Sequence, residues 1–211
     1  MNEIDKKKTW NSIQEFGIYV SNIIKSVIRK QKEEIVAKYT FKTLDEFIAD
    51  SNGNAGTIPL ELKEGVYAEL TKFEFNCQAL VIGFNVNSEG SIYSIDENGT
   101  LSKISDEFCS SIGTGEPFSQ IYFDQHDYDV QCSLSQGLFF AYSAKKSAEF
   151  HTGVGKKTDI IVLQAGEPVK EITSESNEMS ILEECYKTEQ EEIKKVQDQI
   201  ANKITQEVFN S

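Results

Sequence analysis

The sequence predicts an α+β fold in which a small antiparallel sheet lies between helical segments. A nearly continuous apolar run at 77–86 is followed by an alternating segment at 91–95 and by an Asn-Gly turn. This order is typical of antiparallel strands joined by tight connections. On both sides of these strands, apolar residues recur at steps of three and four, as they do on one face of a helix. With 211 residues, the chain is long enough to bury a sizeable core.

The first predicted helix spans residues 9–36. Its apolar residues lie three or four positions apart and therefore form one stripe. The stripe comprises Trp10, Ile13, Gly17, Val20, Ile24, Val27, Ile28 and Ile35. We expect Thr9 or Asn11 to cap the start of this helix, because a side-chain oxygen there can accept a hydrogen bond from a free N–H group of the first turn.

Two shorter helices are predicted before the sheet. Thr43 and Glu46 have the spacing of a capping box, which predicts a helix over 44–50. Pro59 is well placed near the first turn of a third helix over 59–73, because proline lacks the N–H group that a first turn leaves unpaired.

Three strands are predicted next. The run at 77–86 has the pattern of a strand covered on both faces, since apolar and polar residues do not alternate in it. A turn at 88–90 leads into the strand at 91–95. Residues 98–99, Asn-Gly, then accept the positive φ angles of a hairpin turn and lead into a third strand at 100–104.

The second half of the chain combines helices with a further strand. A Gly-Thr-Gly turn at 113–115 is expected to open a helix near Pro117. Residues 133–148 form a second helix, whose many small side chains permit close packing. Residues 159–163 then give another apolar strand.

The C-terminal segment 174–209 predicts one long acidic helix. It carries nine acidic residues against four lysines, and its apolar stripe is interrupted by Glu189. The stripe comprises Leu182, Ile193, Val196, Ile200, Ile204 and Val208. Two interpretations stay open: the stripe packs on the body of the protein, or it binds a partner as a coiled coil does.

These elements predict two domains. Residues 1–170 form an α+β domain, with helices in 9–73 and a core of strands and helices in 77–165. Residues 171–211 form the acidic C-terminal helix. The division follows the change in composition after 166–168, beyond which the chain is almost free of glycine.

Composition argues against several classes of function. The net charge of −13 disfavours nucleic acid as a partner, because phosphate binding requires a basic surface. No apolar run reaches about 18 residues, and the N-terminus lacks a secretory signal. The four scattered cysteines favour a reducing compartment, so we expect a cytoplasmic protein without a membrane span.

No metal or cofactor is predicted. The four cysteines form no CxxC pair, and the two histidines complete no zinc pattern. His126 lies in the aspartate-rich loop 123–129, which lacks the spacing of an EF-hand and is better explained as a solvated polar loop. The Gly-Thr-Gly turn matches no phosphate-binding pattern.

Four motifs in a fixed order carry a resemblance to a known family. They are IYSIDENG at 92–99, IGTG at 112–115, FHTGVG at 150–155 and DIIVL at 159–163. On these motifs, the stretch 79–163 resembles proteasome β-type subunits and their bacterial relatives, which are N-terminal-nucleophile hydrolases. The resemblance implies a sandwich of two antiparallel sheets between helical layers, in complete or truncated form, with the acidic C-terminal helix as an addition.

The resemblance also implies where the chemistry would come from. In the family, the first residue of the mature chain supplies a nucleophilic hydroxyl, and its own amine serves as the base. Here the sequence begins Met1-Asn-Glu and continues into a helical pattern, and the family's early aspartate and lysine have no counterpart. Cleavage before Thr9 would expose a threonine, but a helix and not a strand is predicted behind it.

Three supporting residues do have counterparts under the resemblance. Thr114 occupies the position of the serine in the family's Gly-Ser-Gly turn, and Glu149 and Thr152 match the spacing of its late aspartate and serine. Simpler interpretations stay open for each residue. Thr114 would be a helix cap, Glu149 a solvated helix end, and Thr152 a turn hydroxyl.

Three hypotheses of function follow. The first is a non-catalytic structural or assembly subunit that self-assembles or binds protein partners. The second is a threonine-type peptidase or amidohydrolase whose nucleophile lies upstream of this chain. The third is an unrelated α+β protein-interaction module, which would be favoured if the segments 79–86, 91–95 and 100–104 did not pair as antiparallel strands.

Overall fold

The computed structural model describes residues 10–40, 42–52, 56–104, 109–126, 128–129 and 131–209. The chain divides into two compact units, Met1–Ser105 and Asp106–Ser211. The predicted domain boundary at residue 170 lies inside the second unit and stays a prediction.

Three helices open the first unit: α1 (Ile13–Thr40), α2 (Leu44–Asn52) and α3 (Leu60–Lys72). All three were predicted, and α1 extends four residues beyond its predicted end. Thr9 lies outside the described residues. Ser12, and not Asn11, caps α1, since its hydroxyl accepts a hydrogen bond from the backbone N–H of Glu15 at 3.1 Å.

The predicted capping box of α2 is confirmed. The backbone N–H of Thr43 donates to the Glu46 carboxylate at 2.8 Å, and the backbone N–H of Glu46 donates to the Thr43 hydroxyl at 3.3 Å. Behind this cap, one apolar cluster joins the three helices. Its buried members are Val36, Phe47, Ile58 and Val66.

A three-stranded antiparallel sheet completes the first unit. Its strands are β1 (Ala79–Phe84), β2 (Gly90–Ile95) and β3 (Leu101–Ile104), in that order across the sheet. Gly99 has a φ angle of +76°, which confirms the predicted glycine turn between β2 and β3. Helix α1 packs on one face of the sheet, where Ile24 contacts a buried group of strand residues. That group comprises Val81, Tyr93 and Ile95.

Within its own unit, β1 is covered on one face and not on both faces as its apolar run predicts. Val81 is buried beneath α1, whereas Ile82 is 54% exposed and Phe84 is 39% exposed. Side chains alternate between the two faces of a strand, and within this unit α1 covers only one of them. The continuous apolar run therefore leaves an apolar face uncovered by its own unit.

The second unit contains helices and a two-stranded sheet. Its elements are α4 (Glu116–Gln125), α5 (Leu134–Ala148), β4 (Ile160–Val162), β5 (Lys170–Ile172) and α6 (Asn177–Ile204), followed by a π-helical turn (Thr205–Phe209). Strand β5 was not predicted, because its sequence Lys-Glu-Ile has no apolar alternation. It is antiparallel to β4, and Gly166 provides a positive φ angle of +80° in the connection.

The core of the second unit lies where α5 and α6 meet the two strands. Its buried members are Tyr142, Ile172, Met179 and Leu182. Ser133 caps α5 and forms a capping box with Gln136. A second set of ring contacts joins α4 to α5, in which Tyr122 and Phe140 have ring centroids 6.4 Å apart.

Only the beginning of α6 packs on its unit. Met179 and Leu182 are buried, whereas every described residue from 190 to 209 is exposed. The interpretation that the stripe packs on the body therefore holds for the first turns, whereas the described residues of the second unit do not cover the remainder. There, Ile193, Val196, Ile200 and Ile204 stay uncovered.

The described residues thus form an α+β structure with six α-helices and two small antiparallel sheets. Stacking of the sheets into a sandwich stays a prediction. Among the described residues, no helix combines the length and apolarity that crossing a membrane requires.

Candidate functional site

The Gly-Thr-Gly turn stands directly before α4. Gly113 has a φ angle of +88°, which favours glycine. The backbone N–H of Glu116 donates to the Gly113 carbonyl at 3.0 Å. Gly115 is the N-cap of α4 and provides no side-chain hydrogen bond, so the interpretation of Thr114 as the helix cap is wrong. Thr114 is exposed instead.

A second tight turn follows α5. The backbone N–H of His151 donates to the Ala148 carbonyl at 3.0 Å, and that of Val154 donates to the His151 carbonyl at 3.0 Å. The imidazole Nδ1 of His151 accepts a hydrogen bond from the backbone N–H of Gly153 at 3.1 Å. Thr152 is exposed at the outer side of this turn, as expected for a turn hydroxyl.

The two turns contact each other. A Cβ atom built on Gly115 would lie 2.8 Å from the Cβ atom of Ala148 and 3.0 Å from Cγ2 of Val154. A Cβ atom on Gly153 would lie 3.2 Å from Cγ2 of Thr114. Glycine at these positions lets the backbones approach closely. The fold therefore brings Thr114 next to the turn that carries Thr152, and we call residues 113–115 and 151–154 the turn pair.

Glu149 lies at the end of α5, immediately before the second turn, and its carboxylate is held by lysines. Lys145 Nζ lies 2.5 Å from one carboxylate oxygen and Lys146 Nζ lies 3.1 Å from the other. The Glu149 side chain is only 9% exposed, so the interpretation of a solvated helix end is wrong. Lys145 also donates to the carbonyl of Gly155 at 2.5 Å, which ties the turn back to α5.

A hydrogen bond and an ion pair link α5 to α6. The hydroxyl of Tyr142 donates to the carboxylate of Glu183, and Lys146 Nζ lies 3.4 Å from the same carboxylate. Burial raises the pKa of Tyr142, and the hydrogen bond to Glu183 raises it further. The same hydrogen bond lowers the pKa of Glu183. Burial alone would lower the pKa of Lys146, but Glu149 and Glu183 outweigh it, and the pKa is raised.

These protonation states limit what the site can do chemically. Lys146 remains an ammonium group near neutral pH, so it is unsuited to accept a proton. The Glu149 carboxylate forms ion pairs with the ammonium groups of Lys145 and Lys146. The exposed hydroxyls of Thr114 and Thr152 can donate and accept hydrogen bonds, which suits them to hold or orient another group.

Sequence reasoning found the threonines and Glu149 but missed their surroundings. Lys145 and Lys146 precede Glu149 by four and three residues, and that spacing places all three on one helical face. This spacing is a signal that the sequence contains. The pairing of Tyr142 with Glu183 joins two helices that are far apart in sequence, and no local pattern indicates it.

His126 belongs to the packing between α4 and α5. Its Nδ1 atom lies 2.8 Å from the carbonyl oxygen of Tyr122, and the two rings stack with centroids 4.0 Å apart. Asp127 lies outside the described residues. Across the part of the chain that the structure describes, no group of three or more His, Cys, Asp or Glu side chains is arranged to hold a metal ion.

Comparison with known proteins gives information on the fold of the chain. No protein-family model matches the sequence, and no curated protein matches it. Among solved structures, the chain is similar to "Anbu (Gly-1) mutant" from Hyphomicrobium sp. strain MC1, with 12% identity and a TM-score of 0.50, covering 87% of this chain and 77% of that chain. It is also similar to "Anbu (ancestral beta-subunit)" from Yersinia bercovieri, with 14% identity and a TM-score of 0.50, covering 86% of this chain and 75% of that chain. At this identity the likeness concerns the fold alone, which is distantly proteasome-like.

Proposed function

We propose that this chain is a structural or assembly subunit of a proteasome-like particle and does not itself cleave peptide bonds. The observation that carries the assembly role is the exposed stretch from residue 190 to residue 209, which comprises the second half of α6 and the π-helical turn after it. It presents an apolar stripe that its own unit leaves uncovered, and such surfaces mark sites of association.

The structure of the N-terminal region supports a non-catalytic role. The family resemblance requires strands behind a nucleophilic first residue, whereas residues 13–40 form helix α1. A threonine exposed by cleavage before Thr9 would therefore lead into a helix. The lysines of the second unit that surround Glu149 are engaged in ion pairs, so they do not supply the base that a hydroxyl nucleophile needs.

Mass in solution tests this proposal. Light scattering on the purified chain, over a wide range of protein concentration, is expected to give a mass above that of one 23.8 kDa chain. Addition of a fluorogenic peptide should give no hydrolysis above that of a heat-denatured sample. A strict monomer at every concentration would contradict the assembly role, and sustained hydrolysis would contradict the non-catalytic one.

The turn pair favours a second candidate, in which a nucleophile upstream of this chain completes a peptidase or amidohydrolase. The exposed hydroxyls of Thr114 and Thr152 lie on two contacting turns, where they can orient an incoming amine or hydroxyl. A threonine-directed covalent inhibitor would then label the protein isolated from its natural source. Absence of labelling would exclude this candidate.

An unrelated interaction module is the least supported of the three hypotheses. Unpaired central strands would favour it, but β1, β2 and β3 pair in antiparallel order. A cytoplasmic location and a lack of nucleic-acid partners stay part of the proposal. The location rests on the four scattered cysteines, which favour a reducing compartment, and the lack of nucleic-acid partners rests on the net charge of −13.

A further inference from the structure

The turn between β2 and β3 carries an Asn-Gly pair at residues 98–99. Asn98 is exposed, whereas Gly99 is buried. A Cβ atom on Gly99 would lie 2.8 Å from Cγ of Lys25 and 3.3 Å from the carbonyl oxygen of Ser21, both on α1. Because the φ angle is also +76°, glycine is the residue that this close approach requires. The packing of α1 on the turn therefore dictates which residue follows Asn98.

An asparagine that precedes a glycine is chemically reactive, and asparagine is accordingly among the thermolabile residues. The backbone nitrogen of the glycine, which no side chain shields, can attack the side-chain carbonyl carbon of the asparagine. A new N–C bond closes a succinimide ring, while the C–N bond of the side-chain amide breaks and ammonia leaves with the proton that the backbone nitrogen gives up. Water then opens the ring, and the product is either aspartate or isoaspartate.

In the folded chain, hydrogen bonds hold the three peptide groups around Asn98. The backbone N–H groups of Asn98 and Thr100 donate to the carboxylate of Asp96 at 2.9 and 2.7 Å. The N–H of Gly99, which contains the attacking nitrogen, donates to the carbonyl oxygen of Asp96 at 2.9 Å. To attack, this nitrogen must leave its partner and approach the side chain of Asn98. The turn must therefore open before the reaction can begin.

Helix α1 fixes the same turn from the other side. The hydroxyl of Ser21 donates to the carbonyl oxygen of Gly99 at 2.6 Å, and Ser21 is only 4% exposed. Opening the turn would break this buried hydrogen bond and separate both groups from their partner, which costs free energy. The contact with α1 thus adds to the hydrogen bonds that the turn makes within itself.

From this geometry we propose that Asn98 is a latent site of spontaneous deamidation, which the contact between the β2–β3 turn and α1 keeps unreactive. Local opening of the turn releases the site. Isoaspartate adds one carbon atom to the backbone of a tight turn, so the peptide groups that join β2 to β3 lose their register. The site is independent of the proposed assembly role, because the turn and α1 belong to one chain and one unit.

The rate of deamidation in the folded and the unfolded chain tests this site. The full chain would be incubated at mildly alkaline pH with and without guanidinium chloride, and peptides that contain residue 98 would be quantified by mass spectrometry. Asn98 should react at least about tenfold more slowly in the folded chain, which corresponds to an opening free energy of at least about 1.4 kcal/mol. Asn52 also precedes a glycine, so in denaturant it should react about as fast as Asn98.

Two variants test what keeps the turn closed. Ser21→Ala removes the donor to Gly99 and should raise the rate at Asn98 in the folded chain by about fivefold, which corresponds to about 1 kcal/mol. Asp96→Ala removes the acceptor of two turn N–H groups and should act in the same direction. Ser26→Ala, at an exposed position of α1, is the matched control and should leave the rate unchanged. Circular dichroism would show which variants are folded, and none of them should change the rate in denaturant.

Three results would overturn this assignment. Rates at Asn98 that differ by less than tenfold between the folded and the unfolded chain would show that the turn gives no protection. A folded Ser21→Ala chain that reacts no faster than the unaltered chain would show that α1 does not keep the turn closed; if this variant does not fold, the same criterion applies to Asp96→Ala. If Asn98 stays intact in denaturant while Asn52 reacts, residue 98 is not a reactive site.

Discussion

The hydroxyl of Tyr142 on α5 donates a hydrogen bond to the carboxylate of Glu183 on α6. This contact joins the two helices of the second unit at the point where Lys146 also reaches Glu183, at 3.4 Å. One carboxylate thus accepts from a buried phenol and pairs with a lysine. Because Lys146 also holds Glu149, the contact indirectly fixes the end of α5 from which the second turn begins.

Removing the phenol is expected to weaken the second unit. Tyr142→Phe preserves the buried ring but deletes the donor to Glu183, and we expect the free energy of unfolding to fall by about 1 kcal/mol. Urea denaturation at neutral pH would measure this change. Tyr67→Phe alters an exposed tyrosine and should shift the midpoint much less; equal shifts would argue against the contact.

Acid should remove part of this stabilisation. The pKa of Glu183 is lowered by its hydrogen bond from Tyr142 and by Lys146. A carboxyl group with a lowered pKa in the folded state stabilises the fold above its unfolded pKa, about 4.3. This stabilisation is lost as pH falls through the folded value. We therefore expect the unfolding free energies of the unaltered chain and of Glu183→Gln to converge as pH falls below about 4.3. A difference that stayed constant below this pH would contradict the assignment.

Among the described carboxylates of the first unit, Asp50 is the one whose replacement we expect to lower the stability of the chain most. Lys42 and Lys63 lie within 2.8 and 3.0 Å of its oxygens, and the backbone N–H of Thr57 donates to it at 2.9 Å. The hydrogen bond from Lys42, followed by that from Thr57, holds its pKa well below the usual range. Asp50→Asn should lower the thermal midpoint of the chain, because two ammonium groups lose their partner.

Asp45 provides the matched comparison for Asp50. Its carboxylate pairs with Arg29 at 2.5 Å but is 71% exposed, and exposed pairs contribute little. Asp45→Asn should therefore leave the thermal midpoint nearly unchanged. A larger fall in the thermal midpoint for Asp45→Asn than for Asp50→Asn would contradict the greater contribution to stability that is assigned to Asp50.

Local features of the fold could be predicted from sequence because their causes are local. Thr43 and Glu46 lie within one helical turn, so their spacing alone predicts the capping box. Gly99 provides the positive φ angle that a tight hairpin needs. In each case the interacting groups are a few residues apart, and propensity decides the outcome.

Long-range features could not be predicted in the same way. The exposure of Ile82 depends on which face of the sheet α1 covers, and the apolar run around it contains no sign of that choice. The burial of Glu149 depends on Lys145 and Lys146 and on the packing of α5 against α6. Because glutamate is strongly polar, its hydropathy at a helix end predicts an exposed side chain and not a buried one.

The exposed threonines of the turn pair should be dispensable for folding. Thr114→Val and Thr152→Val remove hydroxyls from exposed positions, where substitutions usually change stability by less than about 0.5 kcal/mol. We expect unchanged urea denaturation curves and, under the proposed assembly role, unchanged mass in solution. Loss of inhibitor labelling in the protein from its natural source would instead support the second candidate function.

The contact between the two turns should depend on Gly115. Its φ angle of −88° suits any residue, so the effect of a side chain there comes from space and not from the backbone. In Gly115→Ala the new Cβ atom would lie 2.8 Å from Ala148 and 3.0 Å from Val154, and overpacking of this kind costs about 1–3 kcal/mol.

Gly155→Ala is the matched control, because no atom lies within 4 Å of the position of its Cβ. This variant should be neutral or slightly stabilising, by about 0.4–1 kcal/mol at most, since alanine reduces the freedom of the unfolded chain. Chemical denaturation of both variants would measure the difference. If Gly115→Ala is as stable as Gly155→Ala, then the two turns separate readily, and Thr114 is not held beside the turn that carries Thr152.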